Sequence, residues 1–252
     1  MKIKFLGTSA GWPLPRLGCR CEICSSKDPN DTRTRTQLLI NGSILLDAGP
    51  DTYKHLLGEN PANIESILIS HQHHDHIMGL WDISHIYNRT QTPTLYITQA
   101  VLNGIKKVFD TNLLKLKVKV VKPFETLNLK NTKINYFPVI HGNTPAFGIK
   151  VKESKILAYI PDFNKILPSS QKVIRYCDLL AIDGSSLGTI GKTTGHISIA
   201  DGIQIAKKLK AKQTYFVHIG HKTAPHKFLE KYLTENGGSN FYPAFDELEL
   251  NL

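Results

Sequence analysis

The chain has 252 residues, of which 41% are hydrophobic, an ordinary share for a protein with a buried core. Its formal net charge of +10 favours an anionic substrate or partner. No stretch approaches the roughly 18 uninterrupted apolar residues of a membrane-spanning helix, and the first residues, MKIKFLGTSAG, lack the apolar run of a signal peptide. We therefore expect a cytoplasmic protein without a membrane partner.

Short apolar stretches with the composition of β-strands recur along the chain, with helical patterns between them. The predicted strands are Ile3–Leu6, Gln37–Ile40, Ser43–Leu46, Ser66–Ser70, Thr94–Thr98, Lys133–Ile140, Phe147–Val151, Ile156–Ile160, Leu179–Ile182 and Tyr215–His218. The predicted helices are His76–Tyr87, Gln99–Phe109, Ser198–Leu209 and Pro225–Glu235. With no repeat or linker, the chain is expected to form one domain over residues 1–252, of α/β or α+β class. Either a sandwich of two sheets with outer helices or a single doubly wound sheet fits this periodicity.

Three of the four cysteines, Cys19, Cys21 and Cys24, lie within six residues. This spacing is typical of a zinc site, and a closed structural site needs four ligands, so His221 or His226 is expected to supply the last. A disulfide is the alternative, but it would leave one thiol unpaired in a reducing cytosol. We therefore predict one structural zinc.

The segment His71–His76, HQHHDH, follows a predicted buried strand directly. An extended backbone would point His71 and His73 to the same side, where they can share one metal ion. Burying several imidazoles without partners costs stability, so packing alone does not account for this cluster.

The second half of the same segment lies where the chain is expected to turn into a helix. The side chains of Asp75 and His76 can therefore diverge toward a second ion nearby. His74 is out of phase with its neighbours and is expected to face away. The segment as a whole predicts a two-metal centre and a metal-dependent hydrolase.

Further polar residues of metal-ligand type stand where predicted strands end. His141 follows an alternating strand, Asp162 follows Ile156–Ile160, and His218 ends the strand that begins at Tyr215. Strand ends commonly carry the side chains of active sites. These three residues would complete the ligands of two metals.

Lysines alternate with aliphatic residues over 114–120, a pattern typical of a strand with one wet face. Lysine also protects an exposed sheet edge. We attribute this charge mainly to solvation, with a nucleic-acid surface as the alternative.

His196 precedes a predicted helix whose N-cap is Ser198, with Asp201 three residues later. A helix N-terminus at this point would favour a phosphate beside His196. His196 is therefore the best candidate to protonate a leaving group or to stabilise a phosphate, and we group it with Asp75 as the catalytic residues.

Taken together, the segment His71–His76 followed by a His, an Asp and a His resembles the signature of the metallo-β-lactamase superfamily. The resemblance implies an αββα sandwich. It makes His71, His73 and His141 ligands of the first metal and Asp75, His76 and His218 ligands of the second. It also implies that Asp162 bridges both ions and that Asp47 orients ligand histidines from behind.

Within that superfamily, the cysteine cluster, Gly7–Gly11 (GTSAG) and His218–His221 (HIGH) look like the phosphodiesterases of phosphonate breakdown, which open a ribosyl 1,2-cyclic phosphate. That resemblance favours His221 as the fourth zinc ligand and supports an active-site role for His196. Proteins of pyrroloquinoline quinone biosynthesis carry a similar cysteine cluster.

We therefore predict a phosphodiesterase that acts on a small cyclic ribosyl phosphodiester through a hydroxide bridging two zinc or manganese ions. The alternatives are a tRNA 3′-end endonuclease, a glyoxalase-type thioesterase, and a metal-binding protein of cofactor biosynthesis. A small phosphodiester is favoured over nucleic acid as the substrate. The sequence leaves the oligomeric state open, and a homodimer is compatible with it.

Overall fold

The computed structural model describes residues 1–87, 91–112, 114–188 and 195–252. In these ranges the chain forms two mixed β-sheets packed face to face, with helices on their outer faces. The predicted αββα sandwich is therefore confirmed, and the alternative of a single doubly wound sheet is wrong.

The first sheet has seven strands in the order β15-β1-β2-β3-β4-β5-β6. Its members are β1 (Lys2–Gly7), β2 (Gln37–Ile40), β3 (Ile44–Leu46), β4 (Ser66–Leu68), β5 (Thr94–Thr98), β6 (Lys117–Val121) and β15 (Leu248–Asn251). Strands β3 to β6 are parallel to one another, whereas β15, β1, β2 and β3 pair antiparallel.

The second sheet has the order β11-β8-β9-β10-β12-β13-β14, with β7 also paired to β8. Its members are β7 (Thr126–Leu129), β8 (Thr132–His141), β9 (Thr144–Lys152), β10 (Ile156–Ile160), β11 (Lys165–Ile166), β12 (Leu179–Asp183), β13 (Gln213–Val217) and β14 (Phe241–Pro243). Strands β8, β10, β12 and β13 run in the same direction, so their carboxyl ends meet at one edge.

The described residues form seven α-helices. They are α1 (Thr52–Leu57), α2 (His74–Ile77), α3 (Leu80–Ser84), α4 (Gln99–Ile105), α5 (Pro168–Ile174), α6 (Ile199–Leu209) and α7 (His226–Asn236). Helix α4 contacts β5 and β6, while α5, α6 and α7 contact β8, β12 and β14. Among the described residues, no helix has the length and apolar character needed to cross a membrane.

The predicted helix over His76–Tyr87 is wrong, because the chain forms two short helices there. The Gly79 amide donates to the Ala48 carbonyl at 2.8 Å, and the Ala48 amide donates to the His76 carbonyl at 2.8 Å. These tertiary hydrogen bonds replace the next helical turn. A Cβ on Gly79 would lie 2.3 Å from the Gly49 carbonyl oxygen, so only glycine allows this approach.

The lysine-rich strand is β6, which lies at the edge of the first sheet as lysine alternation predicts. The expectation of one wet face is wrong, since Val118 and Val120 are 44% and 46% exposed. Both faces of this edge strand are therefore in contact with solvent.

Alternation along the central strands of the second sheet builds two separate cores. On β10, Leu157 and Tyr159 join the core between the sheets, whereas Ala158 and Ile160 face the core under α5, α6 and α7. Both faces of the strand are therefore buried, which explains its continuous apolar sequence.

The two sheets are joined directly where the candidate site begins. The Phe147 amide on β9 donates to the Ser70 carbonyl at 3.1 Å, and His71 forms an isolated bridge with Ala146. The end of β4 is thereby held against the second sheet. The carboxyl ends of β3, β4, β8, β10, β12 and β13 all supply residues to this edge.

Candidate metal centre

A first group of predicted ligands gathers at the junction of the two sheets. Ligand atoms of His71, His73, His141 and Asp162 all lie within 4.8 Å of one another. His141 Nε2 is 3.2 Å from His73 Nδ1, and His71 Nε2 is 3.5 Å from Asp162 Oδ2. Strand ends of both sheets therefore converge on one point.

A second group adjoins the first and shares Asp162 with it. Its other members are Asp75, His76 and His218, again with ligand atoms within 4.8 Å of one another. Asp162 Oδ1 lies 3.1 Å from His218 Nε2, while Asp162 Oδ2 lies 3.5 Å from His76 Nε2. The carboxylate thus faces both groups, as a bridging ligand would.

The separations within both groups fit a metal ion. Tetrahedral zinc with ligands at about 2.0–2.2 Å places them about 3.3–3.6 Å apart. Buried His71 Nε2, His76 Nε2 and Asp162 Oδ1 have no hydrogen-bond partner among the described residues. Since buried polar atoms are nearly always satisfied, these orphaned ligand atoms indicate that each group is shaped for a cation.

The charge balance points the same way. Burial lowers the pKa of His71 well below its usual value, so the imidazole is neutral and able to ligate. Burial alone would lower the pKa of His76, but the carboxylates of Asp75, Asp47 and Asp162 raise it well above its usual value. The second group therefore favours a positive charge.

Asp47 stands behind the ligands, fully buried at the end of β3. Its Oδ2 accepts hydrogen bonds from His76 Nδ1 at 2.8 Å and from the Tyr159 hydroxyl at 2.8 Å. It also accepts a hydrogen bond from the Ser70 hydroxyl at 2.9 Å, and that hydroxyl accepts a hydrogen bond from His71 Nδ1 at 3.0 Å. Asp47 therefore orients His76 directly and His71 through Ser70.

The remaining imidazoles of the first group are anchored by other acceptors. His73 Nε2 donates to the Thr144 hydroxyl at 3.0 Å, and His141 Nδ1 donates to the Gly195 carbonyl at 2.7 Å. Each anchor holds the proton on the far side of the ring. The nitrogen facing the site is thereby left with its lone pair.

His196 stands beside both groups and is paired with an aspartate. Its Nδ1 donates to Asp183 Oδ2 at 2.8 Å, and its ring stacks on that of His218 with centroids 5.1 Å apart. Burial alone would lower the pKa of His196, but the Asp183 carboxylate raises it to about 9. The pair resembles in geometry the Asp–His arrangements that orient an imidazole for proton transfer.

The expected helix N-terminus does form, since α6 begins at Ile199 and Ser198 caps it. However, the Asp201 amide already donates to the Ser198 hydroxyl, and the Ile199 amide donates to the Ser186 carbonyl at 2.8 Å. Neither of these two amides is free for a phosphate, and the phosphate beside His196 stays a prediction.

His74 contributes no atom to either group, as expected. It is exposed and lines the rim of the cavity above the groups. The reason is that residue 74 begins α2, whose first turn forms part of the cavity rim.

A cavity of about 630 Å³ opens over both groups. Its buried end is lined by residues of the groups and their neighbour: His73, Asp75, Asp162, His196 and His218. Its outer end is lined by Trp12, Arg16, His221 and Lys222. This volume suits a small organic ligand.

The cysteine cluster lies beside the outer end of the cavity. The sulfurs of Cys19, Cys21 and Cys24 lie within 4.8 Å of one another. A hydrogen bond from the Cys21 backbone lowers the pKa of Cys19 to about 6, whereas burial raises that of Cys24 to about 11. Three adjacent thiols of this kind would all ionise only around a cation.

The two histidines proposed as fourth ligand lie in different places. His221 Nδ1 is 3.6 Å from Cys19 Sγ. His226 is buried at the start of α7, with Nδ1 2.9 Å from Arg33 Nη2. Of the two, His221 is the one within reach of the sulfurs, and Cys177 is buried elsewhere.

Asp183 is the site residue that the sequence reasoning missed. It follows the buried run Leu179–Ile182 and precedes Gly184. Asp47 and Asp162 carry the same signal, an aspartate at or just after the end of a buried apolar strand. Applying that signal to every strand would have found Asp183.

A family model described as a β-lactamase superfamily domain matches residues 43–219. The chain is also similar to the octanoyltransferase of Porphyromonas gingivalis, with 29% identity over 242 residues. That match covers 90% of this chain but 47% of the relative, so the chain spans about half the relative's length.

Three solved structures are similar along essentially the whole chain. A diphosphatase from the PhnP family is 31% identical, with a TM-score of 0.88 and coverage of 100% of this chain and 97% of that one. Zn²⁺-bound PqqB from Methylobacterium extorquens is 22% identical, with a TM-score of 0.84 and full coverage of both chains. The short form of human tRNase Z is 19% identical, with a TM-score of 0.71 and coverage of 100% and 99%.

Proposed function

Because the chain belongs to the metallo-β-lactamase superfamily, we propose that it is a metal-dependent phosphodiesterase acting on a small cyclic ribosyl phosphodiester. The observation that carries the proposal is the pair of ligand groups sharing Asp162, with the Asp183-paired His196 beside them in one cavity. The similarity of the chain to a diphosphatase from the PhnP family supports a phosphate-containing substrate.

In this proposal His71, His73, His141 and Asp162 hold a first divalent ion. Asp75, His76, His218 and the same Asp162 hold a second. Zinc or manganese would suit these mixed histidine and carboxylate ligands. When bound, such a pair of ions lowers the pKa of the water it holds and polarises phosphoryl oxygens.

The chain's own residues supply the proton transfers. His196, held by Asp183, faces a phosphate at the centre and donates its proton to the leaving alkoxide as the P–O bond breaks. Asp75 lines the cavity and has Oδ2 3.4 Å from His218 Nε2. It is assigned to orient the attacking water through a hydrogen bond.

The cysteine cluster is proposed to hold a separate structural zinc through Cys19, Cys21, Cys24 and His221. A closed site with four protein ligands has no position left for a substrate. Its role would be to fix residues 12–36 beside the cavity. Three metals per chain are therefore expected, two catalytic and one structural.

The test is a substrate panel on metal-loaded protein: an aryl phosphodiester, a ribose 1,2-cyclic phosphate, a precursor tRNA and a glutathione thioester. Hydrolysis of the two phosphodiesters in preference to the others supports the proposal. Cleavage of precursor tRNA alone would replace it with a tRNA 3′-end endonuclease. Full metal loading with no turnover of any of the four would favour the metal-binding protein of cofactor biosynthesis.

A further inference from the structure

The backbone of Asp47, which anchors ligand histidines from behind, adopts an unusual conformation. Its φ angle is 61°, in the left-handed region that residues other than glycine rarely occupy. Such a conformation persists only where surrounding groups hold it. The Asp47 amide donates to the Leu68 carbonyl at 2.9 Å, and the Asp47 carbonyl accepts from Gln37 Nε2 at 2.9 Å. The side chain of Gln37 therefore holds one of the two peptide groups that flank the Asp47 side chain.

The buried side chain of Gln37 has a partner for each of its hydrogen-bonding groups. Besides the Asp47 carbonyl, Nε2 faces the Thr52 hydroxyl and donates to it at 3.0 Å, and that hydroxyl donates to the Gly49 carbonyl at 2.7 Å. Both amide hydrogens are thus in use, and Oε1 lies 2.5 Å from His55 Nδ1. Because an amide oxygen only accepts, His55 Nδ1 must carry a hydrogen.

The other nitrogen of His55 begins a chain of contacts that ends at Asp246. His55 Nε2 lies 2.6 Å from the Thr34 hydroxyl oxygen, which lies 2.6 Å from Asp246 Oδ2. A hydroxyl has one hydrogen to donate, so Thr34 can satisfy only one of these two contacts. If it donates to His55, Asp246 must be protonated, and if it donates to Asp246, His55 must be protonated on both nitrogens. In either case the pair holds one proton more than a carboxylate and a neutral imidazole would.

The surroundings of the two groups favour this proton on Asp246. Burial raises the pKa of Asp246 and lowers the pKa of His55 to about 4. Charged neighbours act more weakly than burial. Arg33 lowers the pKa of Asp246, while near His55 the charge of Asp51 raises the pKa and that of Lys54 lowers it. His55 is therefore neutral, with its hydrogen on Nδ1.

From this chain of contacts we propose that Gln37 and His55 are positioning residues of the metal centre, and that a proton bound between Asp246 and His55 directs their hydrogen bonds. The proton keeps His55 Nδ1 a donor, which fixes the Gln37 amide, and the amide in turn fixes the backbone of Asp47. The Asp47 carboxylate is thereby held where it orients the ligand imidazoles. The inference rests on the metal centre of the proposed function and is independent of the substrate.

Gln37→Met tests the positioning role, because methionine has a similar shape and forms none of these hydrogen bonds. Loss of a partner that orients a metal ligand typically costs about 10–100-fold in metal affinity, and Gln37 acts one residue further away, so Co²⁺ should bind the ligand groups about tenfold more weakly. Absorption by thiolate-bound Co²⁺ identifies the cysteine site in the same titration, so the two sites are measured separately.

Thr132→Ala is the control for a general loss of stability. It removes a buried hydroxyl at the far end of β8 from His141, which donates to Glu153 Oε1 at 2.8 Å. This variant should lower Tm and leave the Co²⁺ affinity of the ligand groups unchanged.

Two variants of His55 separate positioning from packing. Asparagine places its amide nitrogen near the position of Nδ1, whereas glutamine places it near that of Nε2, and both remove the ring. His55→Asn keeps a donor for Gln37 and should retain most of the Co²⁺ affinity, while His55→Gln loses that donor and should bind about tenfold more weakly. Equal losses of affinity in the two variants would show that His55 only supports packing and would overturn its positioning role.

NMR of the imidazole nitrogens tests the bound proton, with the His55 signals assigned by their absence in His55→Asn. The expected spectrum shows a hydrogen on Nδ1 of His55, and a neutral ring with its hydrogen on Nε2 would overturn the bound proton. This measurement needs no metal. If the wild-type protein binds no Co²⁺ at the ligand groups, the proposed metal centre itself fails. Normal binding in the wild type with unchanged affinity in Gln37→Met would overturn the positioning role alone.

Discussion

The catalytic ligand groups and the cysteine cluster differ in what holds their side chains in place. Asp47, Thr144 and the Gly195 carbonyl anchor the imidazoles of the ligand groups from behind. The cysteines are half-buried on a segment with little regular structure, and the Cys24 sulfur accepts from the Arg16 amide at 3.4 Å. The surrounding fold therefore holds the first site in place, whereas we propose that the cysteine segment depends on the metal that it would bind.

This difference in support implies that metal binding would have a different structural effect at each site. In the catalytic centre, orphaned ligand atoms at the ends of packed strands indicate that metal relieves a cost already present in the fold. At the cysteine site, we propose that metal binding is coupled to ordering of the segment. Loss of catalytic metal should cost activity with little change in fold, and loss of the cysteine metal should do the reverse.

The largest effect is expected from Asp162→Ala, which removes the carboxylate shared by both groups. Because a catalytic metal pair contributes several kcal/mol to transition-state stabilisation, hydrolysis of an aryl phosphodiester should fall by about 10³-fold or more. Metal analysis should find one ion per chain, at the cysteines. Two retained catalytic ions with an unchanged rate would contradict the shared-ligand assignment.

His196→Ala should give the next largest effect. Loss of a general acid typically costs about 10²–10⁴-fold in turnover, and the metal content should stay at three because His196 is not assigned as a ligand. His85→Ala, at an exposed histidine after α3, is the matched control and should be silent. Wild-type turnover in His196→Ala would remove the residue from the mechanism.

Asp183→Asn should have a smaller effect, since the carboxylate acts through His196 as a positioning residue. Loss of a hydrogen-bond partner that orients a functional side chain typically lowers activity about 10–100-fold. Because the Asp183 charge raises the pKa of His196, its removal lowers that pKa. The loss of kcat at high pH should therefore begin at a lower pH than in wild type. An unchanged pH profile of kcat would show that the contact is only structural.

Cys21→Ser should have the smallest effect on turnover, but it should lower the stability of the fold measurably. One metal per chain is lost, and kcat on an aryl phosphodiester should stay within about twofold. A stability loss of about 2 kcal/mol would lower Tm by about 4–8 °C for a chain of this size. Cys177→Ala is the matched control and should keep all three metals. An unchanged Tm with full metal content would refute the structural site.

The same contrast explains how much could be read from the sequence. The strand that leads into His71 and the polar residues at later strand ends leave local signals, so a metal centre was predictable from the residues. The sandwich and the division of the ligands between two groups followed from the resemblance to a known superfamily. The Asp47–Tyr159 hydrogen bond joins residues 112 positions apart. Nothing local marks such a pair, because packing of two distant strands creates it.

The errors have the same origin. Local periodicity predicted a single helix that spans His76–Tyr87. Hydrogen bonds of Ala48 with Gly79 and His76 divide this segment into two short helices. At the N-terminus of α6, the Ile199 amide donates to the Ser186 carbonyl, a contact that no local pattern indicates. The cavity mouth with Arg16 and Lys222 joins segments about 200 residues apart, and neither residue stands out in its own segment. Tertiary contacts decided each of these features.

The central claim is that two adjacent ions share Asp162, and anomalous diffraction from a crystal of the zinc-loaded protein tests it most directly. We expect two peaks about 3.5–4 Å apart on either side of Asp162, and a third among Cys19, Cys21, Cys24 and His221. A single peak at the ligand groups, or two peaks without Asp162 between them, would contradict it.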